Sequence, residues 1–398
     1  MSDLRRQIDS IALFRGLRYK EPVLSLCDFL LKLDAGYTVE ETIESYGNFV
    51  SKLYELRSDC DLAAAIWDAL EDDMNPYLRY RIEQITDPEG DHKISTLMKL
   101  TAERELNLLT QIGKYTSYDF KSEMYYDGYL PDFTSSGIDF KKRYERMLNS
   151  IEENGYGIYA RCNIFRIKNG VLEPVKHPDS ISEEDLFCYE RERGIVFNNM
   201  QAFAEGKSFS DTLLYGDAGT GKSSTVKAAA RKFFGKGVRL VELSKSELDA
   251  MPMLLEKLSN EPLKFVLFID DISFDADDER IGSLKSVIEG AATGRRKNII
   301  ICVTSNRRHL VKETFSSREN EVHTSDTIAE QLSLSERFGL RVLFDKPNKA
   351  TYLEIAGKIA AARGIEISDD ELALKAEQFA MRAGGRSARA ARQFVDSL

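Results

Sequence analysis

An α/β fold built on five parallel strands, preceded by an all-helical region and followed by a small helical lid, is what this sequence predicts. Three observations carry that expectation. Five short apolar runs alternate with helix-like text between residues 212 and 344; the first feeds a glycine loop that opens straight into a helix; and residues 5 to about 117 repeat apolar side chains three and four positions apart. Short runs, apolar throughout and separated by helices, are what strands buried on both faces of a parallel sheet require.

Length and charge narrow the setting. With 398 residues the chain is long for one core and suits two or three domains. A net charge of −10 argues against a protein that coats nucleic acid or membranes through overall charge. The acidity is concentrated early, since residues 1–150 hold 27 Asp/Glu against 19 Lys/Arg and the remainder 38 against 36. Five cysteines (Cys27, Cys60, Cys162, Cys188, Cys302) are scattered without a C-x-x-C pair, and the four histidines are equally dispersed, so neither a disulfide framework nor a histidine metal site is expected. No run of about 18 apolar residues occurs, and a cytoplasmic, reducing setting without membrane association is the simplest reading.

Taken in order, residues 1–150 read as a helical domain. Ile8-Ile11-Ala12-Leu13, Ile43-Tyr46-Phe49-Val50-Leu53 and Leu62-Ala65-Ile66-Trp67-Leu70 carry the period, and it runs on from Ile94 to Ile112. Trp67 at helical spacing reads as core rather than as a partner surface. The aromatic, acidic and turn-rich text from Asp119 to Ser136 suits a linker or a docking segment, and a further helix follows from Phe140 to Asn154. Residues 151–182 read as a β-hairpin connector, because Asn169-Gly170 sits between two apolar runs and Asn-Gly is the residue pair of a tight hairpin turn. From Ser182 as N-cap to Glu205 a helix is expected; it precedes the glycine loop Gly216-Asp217-Ala218-Gly219-Thr220-Gly221, whose N–H groups and following helix start suit a phosphate chain, so Leu186, Tyr189 and Ile195 are candidate contacts to a nucleotide base.

The nucleotide core is expected over residues 183–347, with strands at Thr212–Tyr215, Val238–Leu243, Phe265–Ile269, Ile299–Val303 and Leu340–Phe344. Pro347 closes it. The lid, 348–398, is read as helices at 350–363, 369–382 and 386–398, the second opened by Ser368 as N-cap with Glu371 three residues on.

The chemistry begins at Gly216-Asp217-Ala218-Gly219-Thr220-Gly221-Lys222-Ser223, followed by Ser224. Glycines let successive N–H groups turn inward around a phosphate chain, and the helix start adds partial positive charge. Lys222 reaches the β- and γ-phosphates, and Ser223 offers a hydroxyl to Mg²⁺. A nucleoside triphosphate is the implied ligand. Asp270 and Asp271 end an apolar strand, where open α/β sheets bind ligands; Asp270 suits the Mg²⁺ shell and Asp271 the orientation of an attacking water. Asn306 ends the next strand, and its amide suits the γ-phosphate or that water, with Ser305 as second choice.

Those motifs, together with Glu336-Arg337-Phe338-Gly339 and Gly384-Gly385-Arg386-Ser387-Ala388-Arg389, resemble in that order an AAA+ P-loop ATPase over about residues 183–398. The wording Tyr189-Glu190-Arg191-Glu192-Arg193, the stretch from Thr304 to Leu310 and that from Leu332 to Phe338 are similar to the bacterial group known as domain of unknown function 815. The resemblance implies that Lys222 and Ser223 are the Walker A pair, Asp270 the Walker B metal carboxylate and Asn306 the first sensor. It implies Arg337 as an arginine finger acting on the neighbouring subunit's γ-phosphate, and Arg386 or Arg389 as the second sensor. The second Walker B carboxylate is Asp271 where the family pattern has Glu, so a slow ATPase is expected, with Glu279 available for recruitment.

The expected activity is therefore Mg²⁺-dependent binding and hydrolysis of ATP to ADP, coupled to lid movement in a homo-oligomer, with residues 1–150 recruiting a protein partner. The alternative is an ATP-gated scaffold or regulatory protein with little hydrolysis. The small basic cluster Arg295-Arg296-Lys297 with Arg307-Arg308 raises nucleic-acid binding as a less favoured reading, because the chain is acidic and no aromatics interleave the cluster. A GTPase is disfavoured: Asn348-Lys349-Ala350-Thr351 lacks the Asp that would read guanine.

Overall fold

The structure is a computed structural model that describes residues 2–273, 280–291, 297–306 and 334–398. It divides into two compact units between Arg161 and Cys162. The first unit is helical, with α1 (Ser2–Asp9), α2 (Val23–Asp34), α3 (Val39–Leu56), α4 (Leu62–Glu71), α5 (Pro76–Thr86), α6 (Thr96–Ile112), α7 (Ser117–Lys121), α8 (Phe140–Asn149), α9 (Ile151–Asn154) and α10 (Ile158–Arg161). Local chemistry starts most of the longer helices. The side chains of Thr38, Asp61, Asn75, Ser95 and Asp139 each accept a first-turn backbone N–H, satisfying donors that the helix leaves open.

The stretch expected as a linker after Asp119 instead packs into this unit. Met124, Leu130 and Phe133 are buried, and the Phe133 ring stands 5.4 Å from Phe49 and 5.8 Å from Phe120. The apolar residues within an acidic, turn-rich text supply the reason: three buried side chains tie a loop without regular structure. Trp67 is core, 2% exposed, with the Arg143 guanidinium 4.3 Å above its ring.

The second unit holds β1 (Ile164–Lys168), β2 (Val171–Pro174), α11 (Glu190–Ala204), β3 (Thr212–Gly216), α12 (Lys222–Lys232), β4 (Val238–Leu243), α13 (Met251–Ser259), β5 (Lys264–Ile269), α14 (Arg280–Ala291), β6 (Ile299–Ser305) and β7 (Leu340–Phe344). Three helices close it: α15 (Lys349–Ala362), α16 (Asp369–Arg382) and α17 (Ala388–Asp396). The sheet has seven strands rather than five, in the order β2-β1-β4-β5-β6-β3-β7. The hairpin accounts for the difference. Asn169 and Gly170 take φ of +52° and +74°, the pair of left-handed residues that a tight hairpin turn needs. β1 then pairs parallel to β4 through Ile164 and Leu240, covering an edge that would otherwise expose unpaired backbone groups. Every pairing but β1 with β2 is parallel, so the sheet is mixed with one antiparallel edge.

A further difference lies before the phosphate loop. The helix expected from Ser182 begins only at Glu190, because Cys188 and Tyr189 adopt φ of +60° and +56°, which no right-handed helix tolerates. Ser182 caps only a short 3₁₀ turn at Glu183–Asp185, and residues 186–189 form an irregular strap. Leu186 and Tyr189 pack on the sheet core, while Phe187, Cys188 and Tyr189 pack on the lid cluster around Tyr352 and Ile355.

Candidate functional site

The site grows from the end of β3. Gly216 has φ +126°, and a Cβ there would lie 2.2 Å from the Phe344 carbonyl oxygen, so only glycine permits β3 and β7 to approach at this point. Past it the chain turns through Gly219 and Gly221, at φ +74° and +94°, and enters α12 at Lys222. The turn is braced from outside: Asp217 N–H donates to the Phe344 carbonyl (3.1 Å), and Asp217 Oδ2 accepts from Lys346 N–H (3.0 Å). The lid touches the loop directly, where Arg389 N–H donates to the Gly219 carbonyl (3.0 Å).

Above this loop lies a cleft of about 450 Å³. One end is lined by Ala218 to Thr225 with Asp270, Asp271, Thr304 and Asn306; the other by Leu186, Phe187, Tyr189, Ile355 and Ile359. A polar, backbone-rich end and an apolar end suit the phosphates and the base of one nucleotide. Gly216 and Asp217 shape the turn from behind without lining the cleft. Of the expected base contacts, Leu186 and Tyr189 line the cleft, whereas Ile195 is 38% exposed on α11 away from it.

The motif side chains form one connected network. Lys222 Nζ donates to the carbonyls of Gly216 (3.0 Å) and Asp217 (2.7 Å) and to Asn306 Oδ1 (2.9 Å). Asn306 Nδ2 donates to Asp271 Oδ1 (2.5 Å). Ser223 Oγ and Thr304 Oγ1 each donate to Asp270 Oδ1 at 2.5 Å, and Thr304 Oγ1 accepts the Asp271 N–H (2.8 Å). Lys222 is 5% exposed, and burial draws its ammonium below the usual lysine range against the pull of Asp271, Asp217 and Asp270. Asp271 itself sits at φ +49°, a conformation costing a non-glycine residue about 1 kcal/mol or more, so the surrounding contacts hold this turn in place.

Sheet register explains the assembly. Ile269 of β5 pairs with Val303 of β6, so one step further along the sheet brings Asp270 beside Thr304. On the other side Tyr215 of β3 pairs with Ser305, bringing the loop beside Asn306. Ser305, the second choice for a sensor, is fully buried. Ser223 and Asp270 present hard oxygen donors to one point at the loop's rim, a set that fits Mg²⁺.

The two lid arginines part company. Arg389 lines the cleft, whereas Arg386 makes a two-pronged pair with Glu377, from Nε to Oε1 (2.8 Å) and from a terminal nitrogen to Oε2 (2.6 Å), outside the cleft lining. Arg337 precedes β7 and stands at the edge where the parallel strands begin, a strand length of about 13 Å from its own phosphate loop. Glu279, Arg295, Arg296, Arg307 and Arg308 lie outside the described residues.

Sequence reasoning assigned no role to Thr304, Arg193 or Arg392, all of which line the cleft. For Thr304 a signal existed, since it lies two residues before Asn306 on a strand and therefore on the same face. Arg193 reaches the Leu186 carbonyl (2.5 Å) and Arg392 the Asp185 carbonyl (3.2 Å), contacts that only the folded strap creates.

The chain is similar in part to several known proteins. Human replication factor C subunit 4 is 25% identical over 188 residues, 42% of this chain and 45% of that protein. Replication factor C subunit 3 of Schizosaccharomyces pombe is 25% identical over 128 residues, 31% of this chain and 37% of that protein. The chain thus spans less than half the length of these curated relatives. Among solved structures, the Thermotoga maritima RuvB Holliday junction branch migration motor is similar at 16% identity with a TM-score of 0.34, over 55% of this chain and 72% of that one. The family model described as "Protein of unknown function (DUF815)" matches residues 160–398, more than half of the chain. The phosphate loop, the strand-end carboxylates and the helical lid all lie within the matched residues, and the chain belongs to the DUF815 family.

Proposed function

We propose that this protein is a Mg²⁺-dependent ATPase that couples ATP binding and hydrolysis to movement of its lid. The observation that carries the reading is the unbroken side-chain chain Lys222–Asn306–Asp271 beside Ser223–Asp270, drawn from β3, β5 and β6 to the rim of one cleft. The loop N–H groups and Lys222 would cradle the triphosphate. Ser223 and Asp270 would hold the metal, which supplies charge neutralisation across the phosphates when bound. Asp271 would orient the water, Asn306 would hold it against the γ-phosphate, and Arg389 would report the nucleotide to the lid through its tie to Gly219.

Arg337 stands away from its own cleft, which supports action on a neighbouring subunit's nucleotide and hence a homo-oligomer. The helical unit is the proposed protein-docking part; Tyr118, Tyr125 and Tyr129 are 80%, 96% and 86% exposed there, among Asp119, Glu123 and Asp127. Among the described residues no helix is long and apolar enough to cross a membrane. The relatives named for replication factor C keep nucleic acid in view, but a chain of net charge −10 favours a protein partner.

The test is ATP turnover by purified protein with Mg²⁺, for the wild type and Asp271→Asn. The expected outcome is slow release of phosphate that falls at least ~100-fold in the variant while ATP binding persists. No measurable turnover by the wild type, with tight ATP binding, would instead establish the scaffold reading.

A further inference from the structure

We propose that Thr304 is a positioning residue whose one hydroxyl holds the Asp270 carboxylate directly and Asp271 by its backbone N–H, an inference that rests on the ATPase reading above. Thr304 is 1% exposed on β6, between β3, which leads through the glycine loop to Lys222, and β5, which ends just before Asp270. A hydroxyl has one proton to give and lone pairs to receive. Here the proton goes to Asp270 Oδ1 (2.5 Å), and a lone pair takes the Asp271 N–H (2.8 Å).

The two contacts do different work. Asp270 Oδ1 also receives Ser223 Oγ, and that hydroxyl must turn its lone pair outward to serve a metal. Thr304 is then the donor that keeps the carboxylate facing the loop rim. The second contact holds Asp271 by its backbone in the left-handed turn at φ +49°, and the next N–H, that of Ile272, donates to the Thr304 carbonyl (2.8 Å). The Asp271 side chain is left to Asn306. One residue on the middle strand therefore fixes the metal carboxylate by its side chain and the water carboxylate by its main chain, and neither can shift without the other.

Thr304→Val keeps the shape and removes both contacts; Thr304→Ser restores them. Three measurements separate the outcomes: ATP turnover, ATP binding in EDTA, and the Mg²⁺ concentration that half-saturates the melting-temperature rise of the ATP-loaded protein. For Thr304→Val, turnover should fall roughly 10- to 100-fold, the half-saturating Mg²⁺ should rise several-fold, about threefold or more, and ATP binding in EDTA should stay within about twofold. Thr304→Ser should return turnover and Mg²⁺ response to near wild type.

Unchanged turnover and Mg²⁺ response in Thr304→Val would overturn the inference. So would loss of ATP binding in EDTA with a large drop in melting temperature, which is what a purely structural threonine predicts, or failure of serine to rescue. A wild type that binds ATP without turning it over would sink the hydrolase reading alone, since the Mg²⁺ response still tests Thr304.

Discussion

Lys222→Met asks whether the buried ammonium belongs to the fold or to the ligand. In the ligand-free site Nζ donates to two carbonyls and one amide oxygen, all uncharged, from a residue 5% exposed. Burial disfavours the charge, and the nearby carboxylates only partly offset it. Methionine removes three hydrogen bonds and one desolvated charge together; Asn306 lines the cleft while the Gly216 and Asp217 carbonyls lie behind it, and losing the buried charge offsets part of the cost of the abandoned acceptors, so stability without ATP should change by no more than about 2 kcal/mol. With ATP the balance differs. Two charge-assisted bonds to phosphate at about 1.5–3 kcal/mol each amount to a ~10²- to 10⁴-fold weaker dissociation constant. At an ATP concentration about 100 times the wild-type constant, ligand binding stabilises the wild type by about 2.7 kcal/mol, whereas the variant gains at most about 0.4 kcal/mol. Thermal melting with and without ATP, alongside a fluorescent-nucleotide titration, reads both quantities. A variant that keeps the full ATP shift would refute the placement of Lys222 on the phosphates. One that loses several kcal/mol without ATP would show that the ammonium is structural.

Two further outcomes follow from the same geometry. Gly216→Ala should destabilise the second unit by at least about 3 kcal/mol in urea unfolding, because its Cβ meets the Phe344 carbonyl oxygen at 2.2 Å and carbon at 2.8 Å, both main-chain atoms that cannot step aside without parting β3 from β7; an unshifted midpoint would mean that the strands are not held as described. Arg337→Ala should bind ATP normally yet turn it over at least ~10-fold more slowly, and mixing it with the equally impaired Lys222→Met should restore part of the activity, because one variant brings an intact cleft and the other an intact finger. Mixtures no faster than the sum of their parts would remove the action in trans.

Much of the second unit could be read in advance, and for a physical reason. Strands buried on both faces must be apolar throughout, so Phe265–Ile269 and Ile299–Val303 declare themselves, and a loop that wraps phosphates must have glycine where φ turns positive. Local rules reached less far where the chain violates them. Nothing in Cys188-Tyr189 announces two successive left-handed residues, so the strap was read as helix; the conformation is imposed by packing of Tyr189 on Phe344 and of Cys188 in the lid cluster. The hairpin turn was plain in Asn169-Gly170, but its partner β4 is set by tertiary pairing that no nearby residue encodes. Likewise the choice between Arg386 and Arg389 depends on Glu377, nine residues from Arg386 along the chain and visible as its partner only once α16 and the 386 turn are folded together.

The strand order supplies the step that motif order alone lacks. In sequence the phosphate loop is followed by the acidic pair and then by Asn306, which suggests three independent parts. In space β6 lies between β3 and β5, so the strands that lead to the loop and to the acidic pair stand two spacings apart, about 10 Å, with Asn306 at the end of the strand between them. An amide is the group that fits there, because it offers an acceptor to the Lys222 ammonium on one side and a donor to the Asp271 carboxylate on the other. A carboxylate in its place would meet Asp271 with like charge, and an aliphatic side chain would leave both neighbours unlinked. On the proposed ATPase reading, a γ-phosphate that drew Lys222 to itself would free the Asn306 oxygen while the Asn306 nitrogen could still hold Asp271. The cation proposed to meet the triphosphate and the carboxylate proposed to orient the water are thereby connected through one side chain.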